Sequence, residues 1–415
     1  MEVLALILLL IGVAGAVARP WGIPAWLTPT AAAVVVVLVE ISSLSQVGHD
    51  LRPLAGAVGF LVAAVPLAVM LDRLGFFESL ASRFVGGSRM TGWLWALAAA
   101  VTTVLNLDAS VVLLTPLYIR IARRRGINPK VLAVQPVILA LLASSALPVS
   151  NLTNLIASGR TGAGPGPFLD HLALPSLAAT VVGYGLYRWA VAKGLLGPSR
   201  PVTPTGHAIA LDGPTSLAPA RAERARRHAL AIGGVIVVLV LAGFVAGPSV
   251  GLAPWQVAVA ADIVLVALLG SIPGRAVPWG TALVAASLAV LAGAVGRQLG
   301  LNHLLAGRGV GSTAILAGGA AVAANVVNNL PALLVGLTGS SHHVTPGLWA
   351  LLLGVNMGPS ILVTGSLASL LWLESTRQMG VAFTPRDYAR IGWRVGLPAS
   401  VIALAVLLAI GPGGL

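Results

Sequence analysis

Two short polar stretches, Asn106-Leu-Asp-Ala-Ser110 and Val327-Asn-Asn-Leu-Pro331, interrupt otherwise apolar sequence, one in each half of the chain. Their chemistry is hydrogen bonding and proton exchange: amides both donate and accept, and Asp108 adds a carboxyl to the first stretch. Hydrocarbon offers no partner to an amide or to open backbone. Such a segment therefore persists at membrane depth only where protein or a watery cavity surrounds it. Paired interruptions in the two halves of a chain point to a solute site built from broken helices. The implied activity is transport.

Asp108 facing lipid would cost about 3 kcal/mol, so it is expected to face a cavity, where a carboxyl is a natural proton or cation carrier. The same residue, just before the apolar run Ala109–Ile121, suits the N-cap of a half-helix; the two roles are compatible. Ser150-Asn-Leu-Thr-Asn154 follows Pro148 inside the run Val131–Ser158. Gly354-Val-Asn-Met-Gly-Pro-Ser360 and Thr364-Gly-Ser366 lie inside Thr345–Leu373. Both read as breaks in crossing helices that present hydroxyls and amides. Laid side by side, Val149–Ile156 and Val363–Leu370 put Ser150 beside Thr364. The candidate solute-binding residues are Asn106, Ser150, Asn151, Thr153, Asn154, Asn328, Asn329, Asn356, Thr364 and Ser366. The plainer reading of these asparagines is glue between helices in a membrane bundle. Asp262, midway along Pro254–Leu269, is a second candidate for proton or ion coupling, or else pairs with a basic residue or an amide. Glu40 ends the second crossing. Arg297, late in Thr281–Leu301, is expected to snorkel to the interface. His303, His342 and His343 fall in outer loops without metal-ligand spacing and read as solvated, so no metal site is expected.

The elements that must position these residues follow from composition. Of 415 residues, 57% are hydrophobic and 9% charged, and mean hydropathy is +0.94. Soluble domains carry roughly 25% charged residues, so most of this chain belongs in lipid. Cysteine is absent, which excludes disulfides and thiolate metal sites. The net charge of +13 would suggest nucleic acid in a soluble protein, but here the basic residues sit in short loops beside apolar runs, and no nucleic-acid partner is expected. Met1 to Ala18 lacks the basic start of a signal peptide and reads as the first crossing. No Walker glycine loop, His-Glu-x-x-His or Gly-x-Ser-x-Gly pattern occurs, so neither nucleotide hydrolysis nor an intramembrane hydrolase is expected, and no cofactor.

The densest basic loop, Arg120 to Lys130, is placed in the cytoplasm by its charge. Met90–Leu105 and Ala109–Ile121 begin and end beside basic residues, as a re-entrant hairpin entering from inside requires. Thr313–Val326 and Pro331–Gly339 are short of the roughly 20 residues a crossing needs and read as a second hairpin, entering from outside. Each half then has three crossings, a hairpin and two crossings. Five is odd, so the second half is inverted. The expected architecture is an all-α polytopic membrane protein of two inverted repeats, each of five transmembrane helices plus a re-entrant hairpin, with broken helices at the solute site. Its parts are an N-terminal repeat over 1–192, a basic Pro/Gly-rich cytoplasmic linker over 193–228 and a C-terminal repeat over 229–415.

Val104-Leu-Asn-Leu-Asp-Ala-Ser-Val-Val-Leu-Leu-Thr-Pro116, Ser150–Asn154, Asn328-Asn-Leu-Pro331 and Gly358-Pro-Ser-Ile-Leu-Val-Thr-Gly-Ser-Leu-Ala-Ser-Leu-Leu-Trp372 together resemble the arsenite efflux permease (ArsB) family of the ion transporter superfamily. The resemblance covers nearly the whole chain. It implies a transport domain whose hairpin tips and broken helices enclose the solute and move in an elevator-like way against a scaffold, in the bacterial inner membrane. Where that family often carries an acid and a lysine around the Gly-Pro of the last block, this chain has Asn356 and Ser360. The implied function is proton-coupled export of arsenite or antimonite. The alternatives are a sodium- or proton-coupled carrier of an organic or inorganic anion, such as a dicarboxylate or citrate, and a sodium/proton antiporter. Partners expected besides lipid are the small solute and the coupling proton or sodium ion. A second copy of the chain and a soluble ATPase docked on the cytoplasmic loops, as in some relatives, are the candidate protein partners.

Overall fold

The computed structural model describes residues 2–19, 22–83, 89–197, 219–299, 305, 309–338 and 344–411. Among them the regular elements are helices, as expected where lipid forces each segment to pair its own backbone groups. The first half runs through α1 (Glu2–Ala18), α2 (Leu27–Leu38), the short α3 (Leu44–Leu51), α4 (Leu54–Arg73) and α5 (Phe76–Ser82). It continues with the hairpin α6 (Met90–Val104) and α7 (Leu107–Arg124), the broken pair α8 (Pro129–Leu142) and α9 (Leu152–Thr161), then α10 (Pro165–Phe168) and α11 (Leu174–Ala192). The second half has α12 (Pro219–Ala246), α13 (Pro254–Leu269), α14 (Trp279–Leu299), the hairpin α15 (Val310–Val327) and α16 (Asn329–Leu337), the broken pair α17 (Pro346–Met357) and α18 (Leu367–Gln378), then α19 (Pro385–Ile391) and α20 (Leu397–Ile410).

The solvent of this bundle is visible on its surface. Val235, Val238 and Leu239 on α12, Ile263 and Leu268 on α13, and Ile315, Val322 and Val326 on α15 are exposed. In water such aliphatic faces would aggregate; in a bilayer they meet lipid. Among the described residues five helical stretches, Leu54–Arg73 and Pro385–Ile410 among them, are long and apolar enough to cross alone. The chain is a multi-pass membrane protein.

Several boundaries differ from the sequence expectation. The 18 residues of α15 are long enough to cross a membrane, whereas α16 has only nine, so the second hairpin has one long and one short arm. Gly309, at φ 116°, is the N-cap of α15, which starts three residues ahead of the apolar run. The basic segment ahead of Ala229 is helical from Pro219 and continues straight into α12, because Ala, Arg and Glu are good helix formers there. A five-residue π-helical turn precedes the last helix of each half, Leu169–Ala173 before α11 and Gly392–Gly396 before α20. His303, His342 and His343 lie outside the described residues.

Packing pairs the halves crosswise: α4 lies on α13, α2 on α14, and α11 on α20. Ionic contacts sort the helix ends into two groups. At one end Lys130 Nζ meets Asp387 Oδ2 at 3.3 Å, Arg124 meets Glu78 at 3.4 Å, and the Arg123 guanidinium donates to the Met379 carbonyl. At the other, Arg297 Nη1 donates to both Asp50 carboxylate oxygens at 2.9 and 2.8 Å, and Nη2 donates to Ser42 Oγ at 2.7 Å. Arg297 thus has a fixed partner: Asp50, only 6% exposed, is pressed against Gly293, where a Cβ would come within 2.2 Å of the carboxylate.

Candidate functional site

The first tip is a two-residue break, Leu105 and Asn106. Asn106, at φ 144°, ends α6 and caps α7: its Oδ1 accepts from the Asp108 N–H at 2.8 Å. The N-cap is thus Asn106 rather than Asp108, which sits in the first turn of α7. A backbone angle that L-residues avoid is tolerated because asparagine can bond locally in return. Asn328 does the same at the second tip, at φ 77°, its Oδ1 accepting from the Leu330 N–H at 3.2 Å. Each tip also reaches the facing break. Asn106 Nδ2 donates to the Val149 carbonyl at 3.5 Å, and Asn328 Nδ2 to the Thr364 carbonyl at 2.9 Å.

Those two carbonyls belong to matching elements. The 3-10 turn Pro148–Ser150 leads into Asn151, the N-cap of α9 (φ −149°, ψ 142°). The 3-10 turn Val363–Gly365 leads into Ser366, the N-cap of α18 (φ −144°, ψ 142°). Asn151 therefore stands opposite Ser366, and Val149, not Ser150, opposite Thr364. The sequence pairing was one residue out, because register is set by the cap that ends each turn and not by the likeness of hydroxyl side chains. Ser150 turns instead to the first hairpin, donating to the Thr103 carbonyl at 2.6 Å.

Four of the expected residues meet in one buried knot. Asn356 Oδ1 accepts from Thr153 Oγ1 at 2.6 Å and from Asn151 Nδ2 at 3.1 Å. Its Nδ2 donates to Asn154 Oδ1 at 2.7 Å and to Ser145 Oγ at 3.2 Å. Asn154 Nδ2 in turn takes up the carbonyls of Ser144 and Leu147, both at 2.9 Å. An amide at membrane depth must spend every donor and acceptor, and here Asn356 does so. The knot joins the first broken helix to the second. Ser144 and Ser145 were not singled out in the sequence, although two adjacent serines at the end of an apolar run are a signal of open backbone. Tyr388 on α19 was also missed: its hydroxyl donates to the Pro359 carbonyl at 2.8 Å and contacts Ser369 Oγ at 2.8 Å. Nothing near Tyr388 in sequence marks it.

Asp108 is 7% exposed, and its Oδ1 has no hydrogen-bond partner. Asn329, Asn328 and Ser366 are likewise buried at the second tip and break. A small apolar recess, with a cavity volume of about 20 Å³, lies against the second break, lined by Val137, Leu141, Ser360, Tyr388 and Gly392 among others. Asp262 is not brought to this centre by any described hydrogen bond; it lies on α13, which packs on α4 and α12, and its Oδ1 is unpartnered. The tips and breaks (105–110, 143–154, 328–331 and 356–366) contain one carboxyl, Asp108, and no lysine, arginine or histidine.

The profile of the citrate transporter family, CitMHS, matches residues 4–354 of this chain. An arsenical pump membrane protein of Escherichia coli is 24% identical over 94% of this chain and 94% of its own length. One from Yersinia enterocolitica is 26% identical over 85% of each. An uncharacterized transporter of Mycobacterium tuberculosis is 26% identical over 92% of this chain and 90% of its own. The likeness to arsenical pumps read from the tip and break motifs is borne out, and the relatives so named are membrane proteins and transporters.

Proposed function

The chain belongs to the citrate transporter (CitMHS) family, and from that membership we propose that it is a secondary active exporter of a small uncharged hydroxide, arsenite or antimonite, in exchange for protons. The observation that carries this reading is the make-up of the tips and breaks: amides, hydroxyls and one unpartnered buried carboxyl, Asp108, with no cationic side chain. Trivalent arsenic at neutral pH is mostly the uncharged trihydroxide, a solute that amides and hydroxyls can bond without a counter-charge. Moving an uncharged solute uphill needs a coupled ion, and Asp108 is the group that can load and release a proton beside it. The solute would lie between Asp108, Asn106 and Ser366, with Thr364, Asn328 and Asn329 from the other side and the Asn356 knot as its floor.

Two inverted repeats over 1–192 and 229–415 are the architecture that goes with this mechanism. Asp50 just before α4 meets Arg297 at the end of α14, and Lys130 at the start of α8 lies beside Asp387 in the first turn of α19, the helix that follows α18. Both contacts fit halves that run in opposite directions through the membrane. Helices α4 and α14, which pack on α7, α9 and α16, would be the scaffold surface along which the site moves.

Arsenite accumulation by everted vesicles under an imposed pH gradient is the test. Asp108→Asn is expected to abolish the pH-driven component while the protein remains folded; undiminished proton-driven uptake would remove Asp108 from the mechanism. The family description favours a second reading, a carrier of citrate or another anion held at half-helix N-termini. The direction of membrane current during uptake separates the two, because exchange of a neutral solute for protons moves positive charge against the solute, whereas an anion accompanied by an excess of cations moves it with the solute.

A further inference from the structure

One helical turn before each hairpin tip stands a residue that sequence reasoning passed over, Thr103 in α6 and Asn325 in α15. Thr103 Oγ1 has one proton, which it shares between the Ala99 carbonyl of its own helix and the Ala143 carbonyl, the first residue of the facing break, both at 2.9 Å. Asn325 Nδ2 bonds the Ala321 carbonyl of its own helix at 2.9 Å and the Gly358 carbonyl, the first residue of its own facing break, at 2.7 Å. The two sets match position for position: three residues ahead of Asn106 or Asn328, back four residues along the hairpin arm, and across to the residue that ends α8 or α17. A hydroxyl that merely satisfied itself would stop at its own helix, the ordinary fate of threonine and serine in apolar helices. Both residues instead hold a second partner on another element, at the point where an unwound backbone has carbonyls to spare.

We infer that Thr103 and Asn325 are positioning residues that set the gap between each hairpin tip and the broken helix opposite it, and with it the width of the solute site. Neither touches the solute; each acts through a tip asparagine. The residues differ in one respect. Asn325 has an acceptor as well, and its Oδ1 takes the Leu362 N–H at 2.9 Å, so the second hairpin grips both sides of its break. Thr103 grips one side with its hydroxyl and the other with its own carbonyl, which accepts from Ser150 Oγ at 2.6 Å, so each hairpin holds both sides of its break; the tip asparagines bond those breaks at 3.5 Å and 2.9 Å.

This inference rests on the transport reading for its kinetic consequence but not for its structural one, and the chain's lack of cysteine lets the two be tested apart. Single reporters Leu107→Cys and Leu330→Cys, both at buried positions, are alkylated with membrane-permeant N-ethylmaleimide. Thr103→Val keeps the shape and removes the bond. It is expected to speed labelling of the Leu107→Cys reporter about tenfold, the effect of one lost hydrogen bond that leaves a buried carbonyl unpaired, while Thr103→Ser labels like the parent. Asn325→Thr, which copies the matching residue, should keep the bond to Gly358, lose that to Leu362 and speed labelling of the Leu330→Cys reporter by about threefold. In vesicles Thr103→Val is expected to raise the KM for arsenite about tenfold with kcat within about twofold, whereas a purely structural defect would lower the transport rate and leave KM alone. Equal labelling of the Thr103→Val and Thr103→Ser proteins overturns the inference. Should Thr103→Val not fold, parent-like labelling of Asn325→Thr overturns it instead. Absence of arsenite transport by the parent protein would count against the function and leave the labelling result to decide the positioning role.

Discussion

The first break carries Ser144, Ser145, Asn151, Thr153 and Asn154, whereas the positions in the second break that match Asn151, Thr153 and Asn154 are Ser366, Ala368 and Ser369. One set of backbone angles thus supports two chemistries. The first break is largely self-contained: Asn154, from its own downstream helix, bonds the carbonyls of Ser144, Ser145 and Leu147. The second leans on other elements, with Asn325 and Asn328 from the hairpin and Tyr388 from α19 taking up its open backbone. Close packing replaces polar groups there: a Cβ on Gly392 would lie 1.6 Å from the Ser360 carbonyl oxygen, so only glycine lets the π-helical turn seat against the break. The lesson is that a repeated fold need not have a repeated site. The polar groups gather in the first half, and the second contributes the one amide, Asn356, that closes the knot.

The comparison can be broken most forcefully at that amide. Asn356→Leu puts an aliphatic residue where the matching position of the first half already has Leu141. It would leave Asn151, Thr153, Asn154 and Ser145 each short of a partner, and loss of transport with a destabilisation of about 3–4 kcal/mol is expected. Thermal unfolding in detergent measures it, and a variant as stable as the parent would show that the knot does not join the halves. The ion pairs that tie the halves at either end come next. Arg297→Met strands the buried Asp50 carboxylate, a loss of about 3 kcal/mol. The double change Arg297→Met with Asp50→Asn should recover most of that; a double variant no more stable than the single would mean Asp50 is satisfied without Arg297. The smallest effects separate the two caps. Asn151→Ala removes the cap on the Thr153 N–H and one arm of the knot, for about 1–2 kcal/mol. Ser366 caps α18 without a side-chain bond, so Ser366→Ala should change stability by only about 0.3 kcal/mol. Equal losses at the two sites would erase the difference between the breaks.

Much of this was legible in the sequence because lipid is so intolerant of unpaired polar groups. Asn106, Asn328 and the serine- and asparagine-rich breaks stand out in apolar runs, and their positions held to within a residue or two. What sequence could not give were partnerships over long separations. Nothing near Arg297 announces Asp50, and nothing near Asn356 announces Asn151 and Thr153. Thr103 stayed hidden for a different reason: a threonine in an apolar helix ordinarily bonds its own backbone, so its second bond is invisible without the facing break. The π-helical turns before α11 and α20 likewise leave no periodic signature, since one extra residue in a turn hardly alters an all-round apolar pattern.

The inverted entry of the two hairpins is the claim on which the shared site depends, and single cysteines at the hairpin bases test it most directly. Arg125→Cys and Val310→Cys both replace exposed residues in a chain that has no cysteine of its own. With a membrane-impermeant maleimide, Arg125→Cys is expected to react only in everted vesicles and Val310→Cys only in right-side-out ones. Reaction of both from the same face would contradict the account.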